Sequence, residues 1–272
     1  MSDFFMHQRK NNISYFTIPS FDETGLVKNC FTGRRGGVSQ GSYASLNMGF
    51  KTNDEKAYVL ENFRIIGREL DIPIENFVYS DQVHKDHIRI VKEEDRGKGI
   101  IRDSDIKEID AFVTNVKNIA LVTVYADCVP IFLLDPIQKV IALAHAGWRG
   151  TVLKIASKTI NVMTQEFGTN PTTCLAAIGP SIGKCCYEVD EAVIDVFNNN
   201  FTNLHEFVFS KGNNKYMLDL WKANKIVLKE IGILDRNITI SNLCTMCHHE
   251  ELFSHRGDHG NTGRMAAILQ LI

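Results

Sequence analysis

Three short apolar segments follow one another in the middle of the chain and constrain its fold more than any other feature. They run from Ile119 to Tyr125, from Val129 to Leu134 and from Val140 to His145, and Asp127-Cys128 and Asp135-Pro136 separate them. Each segment is rich in β-branched residues and is shorter than a typical helix. The centre of the chain is therefore predicted to form buried β-strands.

Helical periodicity occurs on either side of these segments. Apolar residues recur at helical spacing from about Asp54 to Leu70, and again from Val152 to Phe167, between Thr151 as an N-cap and Gly168 as a stop. Because helices and strands mix without strict alternation, the pattern favours an α+β or mixed α/β domain over a doubly wound parallel sheet. The other predicted elements are strands over 173–178 and 238–240, helices over 191–197 (capped by Asp190) and 220–231 (between Asp219 and Gly232), and a helix from Thr262 to the end.

The composition limits the class of partner. Lys and Arg total 30 against 32 Asp and Glu, a formal net charge of -2, so no basic excess favours nucleic acid or an anionic membrane. The seven cysteines are odd in number and Cys185 adjoins Cys186, which argues against an extracellular disulfide framework. We therefore expect reduced thiols in a cytoplasmic protein that acts on a small neutral or weakly anionic molecule.

Three potential metal ligands lie at the ends of apolar segments. They are His84 in Asp-Gln-Val-His, Cys128 in Ala-Asp-Cys-Val-Pro and His145 in Ala-His-Ala-Gly-Trp-Arg-Gly. Two imidazoles and a thiolate with an open fourth position suit catalytic zinc, because structural zinc is normally closed by four protein ligands. The separations of 44 residues (128 minus 84) and 17 residues (145 minus 128) require the fold to bring the ligands together. Spacing alone equally allows a buried cysteine and histidines without any metal.

A second motif, Cys244-x-x-Cys247-His248-His249-Glu250, also contains metal-binding residue types. A zinc ribbon needs a second ligand pair, and only His255 and His259 follow downstream. A cytidine-deaminase site needs His-x-Glu before Pro-Cys-x-x-Cys, whereas here the order is reversed and the proline is absent. We therefore expect a loop with free thiols and solvated histidines.

Arginines beside glycines are candidates for holding an anion. Arg149, Arg256 and Arg264 each adjoin a glycine, and a forked guanidinium suits phosphate, although solvated surface arginines explain the pattern equally well. None of the glycine-rich turns fits the P-loop or the dinucleotide-binding fingerprint. The sequence therefore supports neither an NTPase nor a dinucleotide-dependent enzyme.

A series of short motifs occurs in order along most of the chain, from about Gly33 to Arg264. The motifs are Gly36-Gly37-Val38-Ser39, Ser45-Leu46-Asn47, Gln82-Val83-His84, Ala126-Asp127-Cys128-Val129-Pro130, His145-Ala146-Gly147-Trp148-Arg149-Gly150, Ile178-Gly179-Pro180-Ser181-Ile182-Gly183-Lys184-Cys185-Cys186-Tyr187-Glu188-Val189, Phe253-Ser254-His255-Arg256 and Thr262-Gly263-Arg264. This ordered set resembles the YfiH/laccase-domain family. Members of that family have been called multicopper polyphenol oxidase, peptidoglycan editing factor and purine nucleoside phosphorylase.

The resemblance implies one α+β domain over residues 1–272, with layered mixed β-sheets flanked by helices and residues 1–30 as a variable N-terminal part. It implies a metal bound by the positions of His84, Cys128 and His145, with Zn²⁺ as the cofactor and Cu²⁺ as the alternative. It also implies phosphorolysis of adenosine, inosine and S-methyl-5′-thioadenosine to the base and ribose 1-phosphate, and deamination of adenosine. Purine nucleosides and phosphate are then the expected partners, without nucleic acid or membrane, and the protein is expected to be a monomer.

Side-chain chemistry suggests further roles within this resemblance. Cys128 and the adjacent Asp127 are expected in the catalytic machinery, with Asp127 as an orienting group or proton carrier. Arg64 and Arg149 are candidates for binding phosphate or ribose, and Asn47 is a candidate hydrogen-bond partner of the substrate. Zinc would lower the pKa of a bound water towards about 7 and so supply hydroxide to attack C6 of adenine. Phosphorolysis instead needs an anion at C1′ and a proton or positive charge near the departing purine.

Three other functions remain open at this point. The first is a copper-dependent polyphenol oxidase (laccase), although only two of the nine histidines have a motif context, which is too few for several copper centres. The second is an amidase that edits peptidoglycan precursors and uses the same zinc chemistry. The third is a non-enzymatic metal-binding protein, which would fold normally but turn over no nucleoside.

Overall fold

Mixed β-sheets form the framework of the protein. In residues 5–10 and 12–272, which the computed structural model describes, the strands form two six-stranded sheets and one three-stranded sheet. The strands in chain order are β1 (Met6–Lys10), β2 (Ile13–Thr17), β3 (Val27–Thr32), β4 (Phe77–Tyr79), β5 (Ile88–Ile90), β6 (Ala111–Thr114), β7 (Ala120–Tyr125), β8 (Val129–Asp135), β9 (Val140–Ala146), β10 (Leu175–Ile178), β11 (Glu188–Asp190), β12 (Val208–Gly212), β13 (Lys215–Leu218), β14 (Ile238–Ile240) and β15 (Met265–Leu271).

The strand order shows how the sheets are built. The first sheet has the order β1-β2-β3-β15-β7-β4, the second β14-β10-β8-β9-β6-β5, and the third β11-β13-β12. The pairs β4–β7, β5–β6 and β10–β14 are parallel, and the other pairs are antiparallel. The three central apolar segments are strands, as predicted, but β7 belongs to the first sheet whereas β8 and β9 belong to the second. The chain therefore crosses between the two large sheets over residues 126–128.

Three of the helices in the described part of the chain pack on the outer faces of the two large sheets. The helices are α1 (Pro19–Asp22), α2 (Lys56–Leu70), α3 (Trp148–Val152), α4 (Ile155–Phe167), α5 (Glu191–Asn198) and α6 (Leu220–Glu230). Phe63 of α2 belongs to a core with the first sheet, whereas Ile160 of α4 and Val227 of α6 belong to a core with the second. Between the sheets, Leu121 of β7 and Leu143 of β9 belong to a third core. The predicted α+β class with mixed sheets flanked by helices is confirmed.

The predicted helix boundaries are confirmed where a capping residue marks them. The Asp190 carboxylate accepts a hydrogen bond from the Val193 N–H at the start of α5, and Asp219 does the same for the Lys222 N–H at the start of α6. Gly168 ends α4 with a φ of 73°, as expected for a left-handed stop. These three residues act through local geometry, which is why a short sequence window reveals them.

The segment predicted as one helix after Thr151 is instead two helices, α3 and α4. The first begins at Trp148, directly after Gly147, so Thr151 lies buried inside α3 and is not an N-cap. Lys154 separates the two helices with a φ of 56°. The prediction was wrong at this point because the break uses a lysine in a conformation that glycine or asparagine normally adopts.

The segment from Thr262 to the end is not a helix, contrary to the prediction, because Met265–Leu271 form the strand β15. This strand lies inside the first sheet, between β3 and β7, and all of its residues are buried. Its Met, Ala and Leu residues favour a helix in isolation. Burial on both faces and hydrogen bonds on both edges outweigh that preference. No helix in the described part of the chain is long and apolar enough to cross a membrane.

Candidate active site

The three predicted metal ligands converge where the chain passes between the two large sheets. His84 lies in the loop that follows β4, Cys128 lies in the crossing between β7 and β8, and His145 lies in β9. One ligand atom from each residue lies within 4.8 Å of the others. The structure therefore brings together side chains that the sequence separates widely, and we call them the His-Cys-His triad.

Asp110 organises the triad from behind, immediately before β6. Its buried carboxylate lies 2.8 Å from Nδ1 of His145, which directs the other ring nitrogen away from the carboxylate. The same carboxylate accepts hydrogen bonds from the backbone N–H groups of Val83, His84 and Lys85, at 2.9 to 3.1 Å. Asp110 therefore fixes both the orientation of one imidazole and the loop that carries the other. A carboxylate behind a ligating histidine is a common device for orienting metal ligands.

The electrostatics of the triad couple a thiolate to a protonated imidazole, whose proton a bound metal ion would displace. Burial alone raises the pKa of the Cys128 thiol, but the His145 and His84 imidazoles outweigh it and lower that pKa to about 6. Burial likewise disfavours charge on His145, yet Cys128 and Asp110 raise its pKa to about 9. The site therefore holds a thiolate, which is the form of cysteine that binds metals. Two imidazoles and one thiolate fit zinc or copper, and they leave coordination positions for other molecules.

The backbone around the triad is tightly constrained. A Cβ atom at Gly147 would lie 2.9 Å from Sγ of Cys128 and 3.3 Å from Cδ2 of His84, so only glycine leaves the ligands room. His84 and Asp127 adopt φ values of 63° and 82°, which cost energy for residues other than glycine. Such conformations concentrate where a fold must hold side chains in a functional arrangement.

The triad lies in the wall of a cavity of about 340 Å³. This volume falls within the range of small-molecule sites. Its apolar part is formed by Tyr79, Val124 and Tyr125, and the two tyrosines are themselves almost fully buried. Lys51, His255 and Arg264 contribute nitrogen groups that can donate hydrogen bonds. The cavity can therefore accept a molecule with both a flat apolar part and an anionic or polar part.

Asn47, a predicted substrate-binding residue, is fully buried and points into the protein. Its Nδ2 donates to the side chains of Thr52 and Asp54, and its Oδ1 accepts from the backbone N–H groups of Gly49 and Arg264. These four bonds use the hydrogen-bonding capacity of the amide. Asn47 therefore positions the segments that carry two cavity-lining residues, Gly49 and Arg264, and has no capacity left for substrate.

The two predicted phosphate-binding arginines lie outside the lining of the cavity. Arg64 is on α2 beside Glu61, in a separate surface depression that it shares with Arg68. The Arg149 guanidinium lies over the Trp148 ring, 4.4 Å from its centroid. Arg264, which sequence analysis named only as a general anion candidate, lines the cavity instead.

Asp127 adjoins Cys128, and both of its carboxylate oxygens are engaged. Oδ1 accepts a hydrogen bond from the Thr245 hydroxyl at 2.6 Å, and Oδ2 accepts one from the backbone N–H of Arg256 at 2.7 Å. This arrangement suits the orienting role that was one of the two expectations for Asp127. The carboxylate ties the sheet crossing to two loops from the C-terminal part of the chain.

Sequence analysis did not identify Asp110, Lys51 or Gln82 as site residues. Gln82 clamps the end of β7, because its amide both donates to the Val124 carbonyl and accepts from the Val124 N–H. Asp110 directly precedes an apolar run, Ala111-Phe112-Val113, and an acid at the start of a buried strand is the signal that could have drawn attention to it. Lys51 is an ordinary surface-type residue in the sequence, and only the fold places it at the cavity.

The second cysteine motif has partners that sequence analysis did not predict. The structure groups Cys244 and Cys247 with Cys185 and Cys186, and the four sulfur atoms all lie within 4.8 Å of one another. A second ligand pair was expected downstream of this motif. The pair lies upstream instead, and Cys186, its nearer member, is 61 residues before Cys247. We call these residues the four-cysteine cluster.

Sequence comparisons relate the chain to a family of enzymes. The family described as multi-copper polyphenol oxidoreductase laccase matches residues 28–272. The purine nucleoside phosphorylase YlmD of Bacillus subtilis is 36% identical over 240 residues, which cover 88% of this chain and 86% of the relative. The adenosine deaminase RL5 from an unknown prokaryotic organism is 32% identical over 237 residues, which cover 86% of this chain and 90% of the relative.

A solved structure shows the same architecture. The hypothetical protein YfiH of Bacillus licheniformis matches with a TM-score of 0.93 at 34% sequence identity, and the match covers 98% of this chain and 99% of that protein. The likeness includes both large sheets and the crossing between them, because so little of either chain lies outside the match.

Proposed function

Because this chain belongs to the laccase-like YfiH family, we propose that it is a zinc-dependent purine nucleoside phosphorylase that also deaminates adenosine. The observation that carries the proposal is the His-Cys-His triad in the wall of a cavity with aromatic and cationic surfaces. The relatives named as phosphorylase and deaminase are similar over most of this chain, so both activities are assigned to one site.

His84, Cys128 and His145 would hold the zinc ion, and Asp110 would keep His145 oriented. When bound, zinc supplies Lewis acidity, which activates water near neutral pH. The apolar part of the cavity wall, at Tyr79, Val124 and Tyr125, would face the purine ring. Asp127 keeps the Cys128 loop in place through its bonds to Thr245 and Arg256, so we assign it a positioning role.

Arg264 is the residue that we assign to phosphate. One of its guanidinium nitrogens donates to the carbonyls of Thr262 and Gly263, which fixes the side chain at the cavity. Burial lowers the pKa of Arg264, but a guanidinium stays charged at neutral pH. Lys51 and His255 line the same cavity and add donors. Positively charged donors at this position favour an anion beside the sugar and stabilise the charge that develops as the base departs.

The first experiment measures zinc content, purine release from adenosine with phosphate, and ammonia release without phosphate. His84→Ala, Cys128→Ala and His145→Ala should each hold one zinc ion fewer than wild type and lose both activities. Unchanged zinc content and activity in all three variants would refute the proposal. The copper oxidase alternative is tested in parallel by dioxygen uptake with a phenol after full copper loading, and cell-wall precursor hydrolysis tests the amidase alternative.

A second experiment separates the two activities. Removing a hydrogen bond to a charged group costs about 1.5–3 kcal/mol, so Arg264→Ala should reduce phosphorolysis at limiting phosphate by about 10- to 100-fold. Deamination, which needs no phosphate, should fall less. Arg64→Ala is the matched control, because Arg64 lies outside the cavity and should leave both rates unchanged. Equal loss of both activities in Arg264→Ala would remove the phosphate assignment.

We also propose that residues 1–272 form one domain in a reducing, cytoplasmic setting. β3, near the start of the chain, pairs with β15, near its end, so both parts of the chain share one sheet. The seven cysteines are free thiols. Limited proteolysis should leave a single core that contains both strands.

A further inference from the structure

The four-cysteine cluster lies outside the His-Cys-His triad and is not needed for the proposed function. Sγ of Cys247 lies 3.5 Å from Sγ of Cys186 and 3.6 Å from Sγ of Cys185, and Cys244 completes a group within 4.8 Å. Four thiolates at a zinc–sulfur distance of about 2.3 Å form a tetrahedron whose edges are about 3.8 Å long. The observed sulfur separations therefore fit a single tetrahedral ion, whereas a multinuclear iron–sulfur core needs more room.

Backbone contacts hold the two cysteine pairs in register. The Ser181 N–H donates to the Leu243 carbonyl and the Thr245 N–H donates to the Ser181 carbonyl, so the segment before Cys185 runs beside Cys244. The Gly183 N–H donates to Sγ of Cys244 at 3.3 Å. A Cβ atom at Gly183 would lie 3.2 Å from Cβ of Cys244, so glycine lets the two loops approach closely. The cluster is thus formed by the fold and does not depend on chance encounters of surface thiols.

The spacing of the cluster suits a cation between the four sulfur atoms. Thiolates this close to one another repel. A divalent ion bound between them removes that repulsion and displaces the thiol protons.

We propose that Cys185, Cys186, Cys244 and Cys247 bind a zinc ion as a closed structural site, separate from the triad. Four thiolates with no position left for another molecule are typical of structural zinc. The other cysteines fit this division. Cys128 belongs to the triad, and Cys30 and Cys174 are buried singly, as small apolar side chains.

The proposed ion links loops that reach the catalytic side of the molecule. Beside Cys185, the Ile182 N–H donates to the Asp127 carbonyl, and beside Cys244, the Thr245 hydroxyl donates to the Asp127 carboxylate. Both loops therefore hold the residue next to Cys128. The second ion would therefore brace the crossing between the sheets through these two loops.

The test counts zinc ions per chain in the full-length protein, purified with zinc and dialysed against a weak chelator. Wild type should hold two, and Cys185→Ser and Cys247→Ser should each hold one, because both residues are exposed and can be replaced without disturbing the core. His84→Ala should also hold one, and the double variant His84→Ala/Cys247→Ser should hold none. Circular dichroism confirms that each variant is folded.

His249→Ala is the matched control, because His249 is exposed in the same loop and lies outside the cluster. It should keep two zinc ions.

Cobalt substitution reports the ligands of the proposed site directly. Cobalt added to metal-free His84→Ala should give near-ultraviolet thiolate-to-cobalt bands and the strong visible bands of tetrahedral cobalt. The double variant His84→Ala/Cys247→Ser should show neither. The site proposal is overturned if wild type holds one zinc ion and the cysteine variants lose none, if mass spectrometry finds a disulfide among the four residues, or if copper occupies the cluster. These outcomes leave the proposed function intact, because it rests on the triad.

Discussion

Asp110 shows how much one buried side chain can determine at a metal site. Asp110→Asn keeps the shape of the side chain but places an NH₂ group against backbone N–H donors or against the His145 ring. We expect the affinity for zinc at the triad to fall about 10- to 100-fold, which is usual when the partner of a ligating histidine is changed. Competition with a chromophoric chelator measures this.

Asp95→Asn is the control for Asp110→Asn. Asp95 is also a buried carboxylate, but it pairs with Arg89 and Lys98. Its variant should lose stability while the triad keeps its zinc affinity. If both variants weaken zinc binding equally, Asp110 contributes only general stability.

Gly147 is a second residue whose role is defined by the space around it. Gly147→Ala places a methyl group against Sγ of Cys128, at a distance that requires the ligands to move. We expect reduced zinc occupancy and reduced activity. Isothermal titration calorimetry with zinc measures the loss of affinity. Gly33→Ala also introduces a clash, with Ser14. Gly33→Ala should lower the melting temperature without affecting zinc binding at the triad. Unchanged zinc binding by Gly147→Ala would contradict this reasoning.

At the scale of single elements, β15 contributes to stability through its burial inside the first sheet. Leu269 is fully buried in the core between the two large sheets. Leu269→Ala should lower the free energy of unfolding by about 2–5 kcal/mol, as measured by denaturant titration. Ile272, three residues further on, is 41% exposed. Ile272→Ala should stay within about 0.5 kcal/mol of wild type, and comparable losses in the two variants would show that burial in the sheet is not the cause.

The same strand marks the limit of prediction from the sequence. Asp190, Asp219 and Gly168 act on their own helix ends, so a local window was enough to place them. The identity of β15 as a strand depends on pairing with β3, more than 230 residues away, and its own composition favours a helix.

The candidate site divides in the same way. The candidate histidine and cysteine ligands were recognisable because their residue types are chemically distinctive and because they resemble family motifs. Arg64 and Arg149 were chosen for motif position and side-chain chemistry, and the fold places both outside the lining of the cavity. The four-cysteine cluster was missed because proximity in space, and not order in the sequence, defines its second pair.

At the scale of the whole molecule, zinc at the triad should stabilise the fold. The three ligands are near one another only in the folded chain, so zinc binds the native state better than the unfolded state. At a free zinc concentration of 100 times the dissociation constant the gain is about 2.7 kcal/mol, or roughly 5 °C or more in melting temperature. Thermal unfolding at increasing zinc tests this.

His84→Ala provides the comparison for the zinc titration. It keeps the four-cysteine cluster, so the difference between the two proteins isolates the contribution of the triad. His84→Ala should show a smaller rise in melting temperature than wild type. An equal rise in both would mean that the stabilising ion binds elsewhere.

The crossing of the chain from one large sheet to the other also bears on the order of events in folding. His84 follows a strand of the first sheet, His145 ends a strand of the second, and Cys128 lies in the passage between them. Pairing of β8 with β9 places Pro130 opposite His145, so the second sheet by itself brings Cys128 close to His145. His84 joins them from the loop that connects β4 of the first sheet to β5 of the second. A site with all three ligands therefore forms only when this connection between the sheets is in place, whereas two of the ligands are already together in the second sheet.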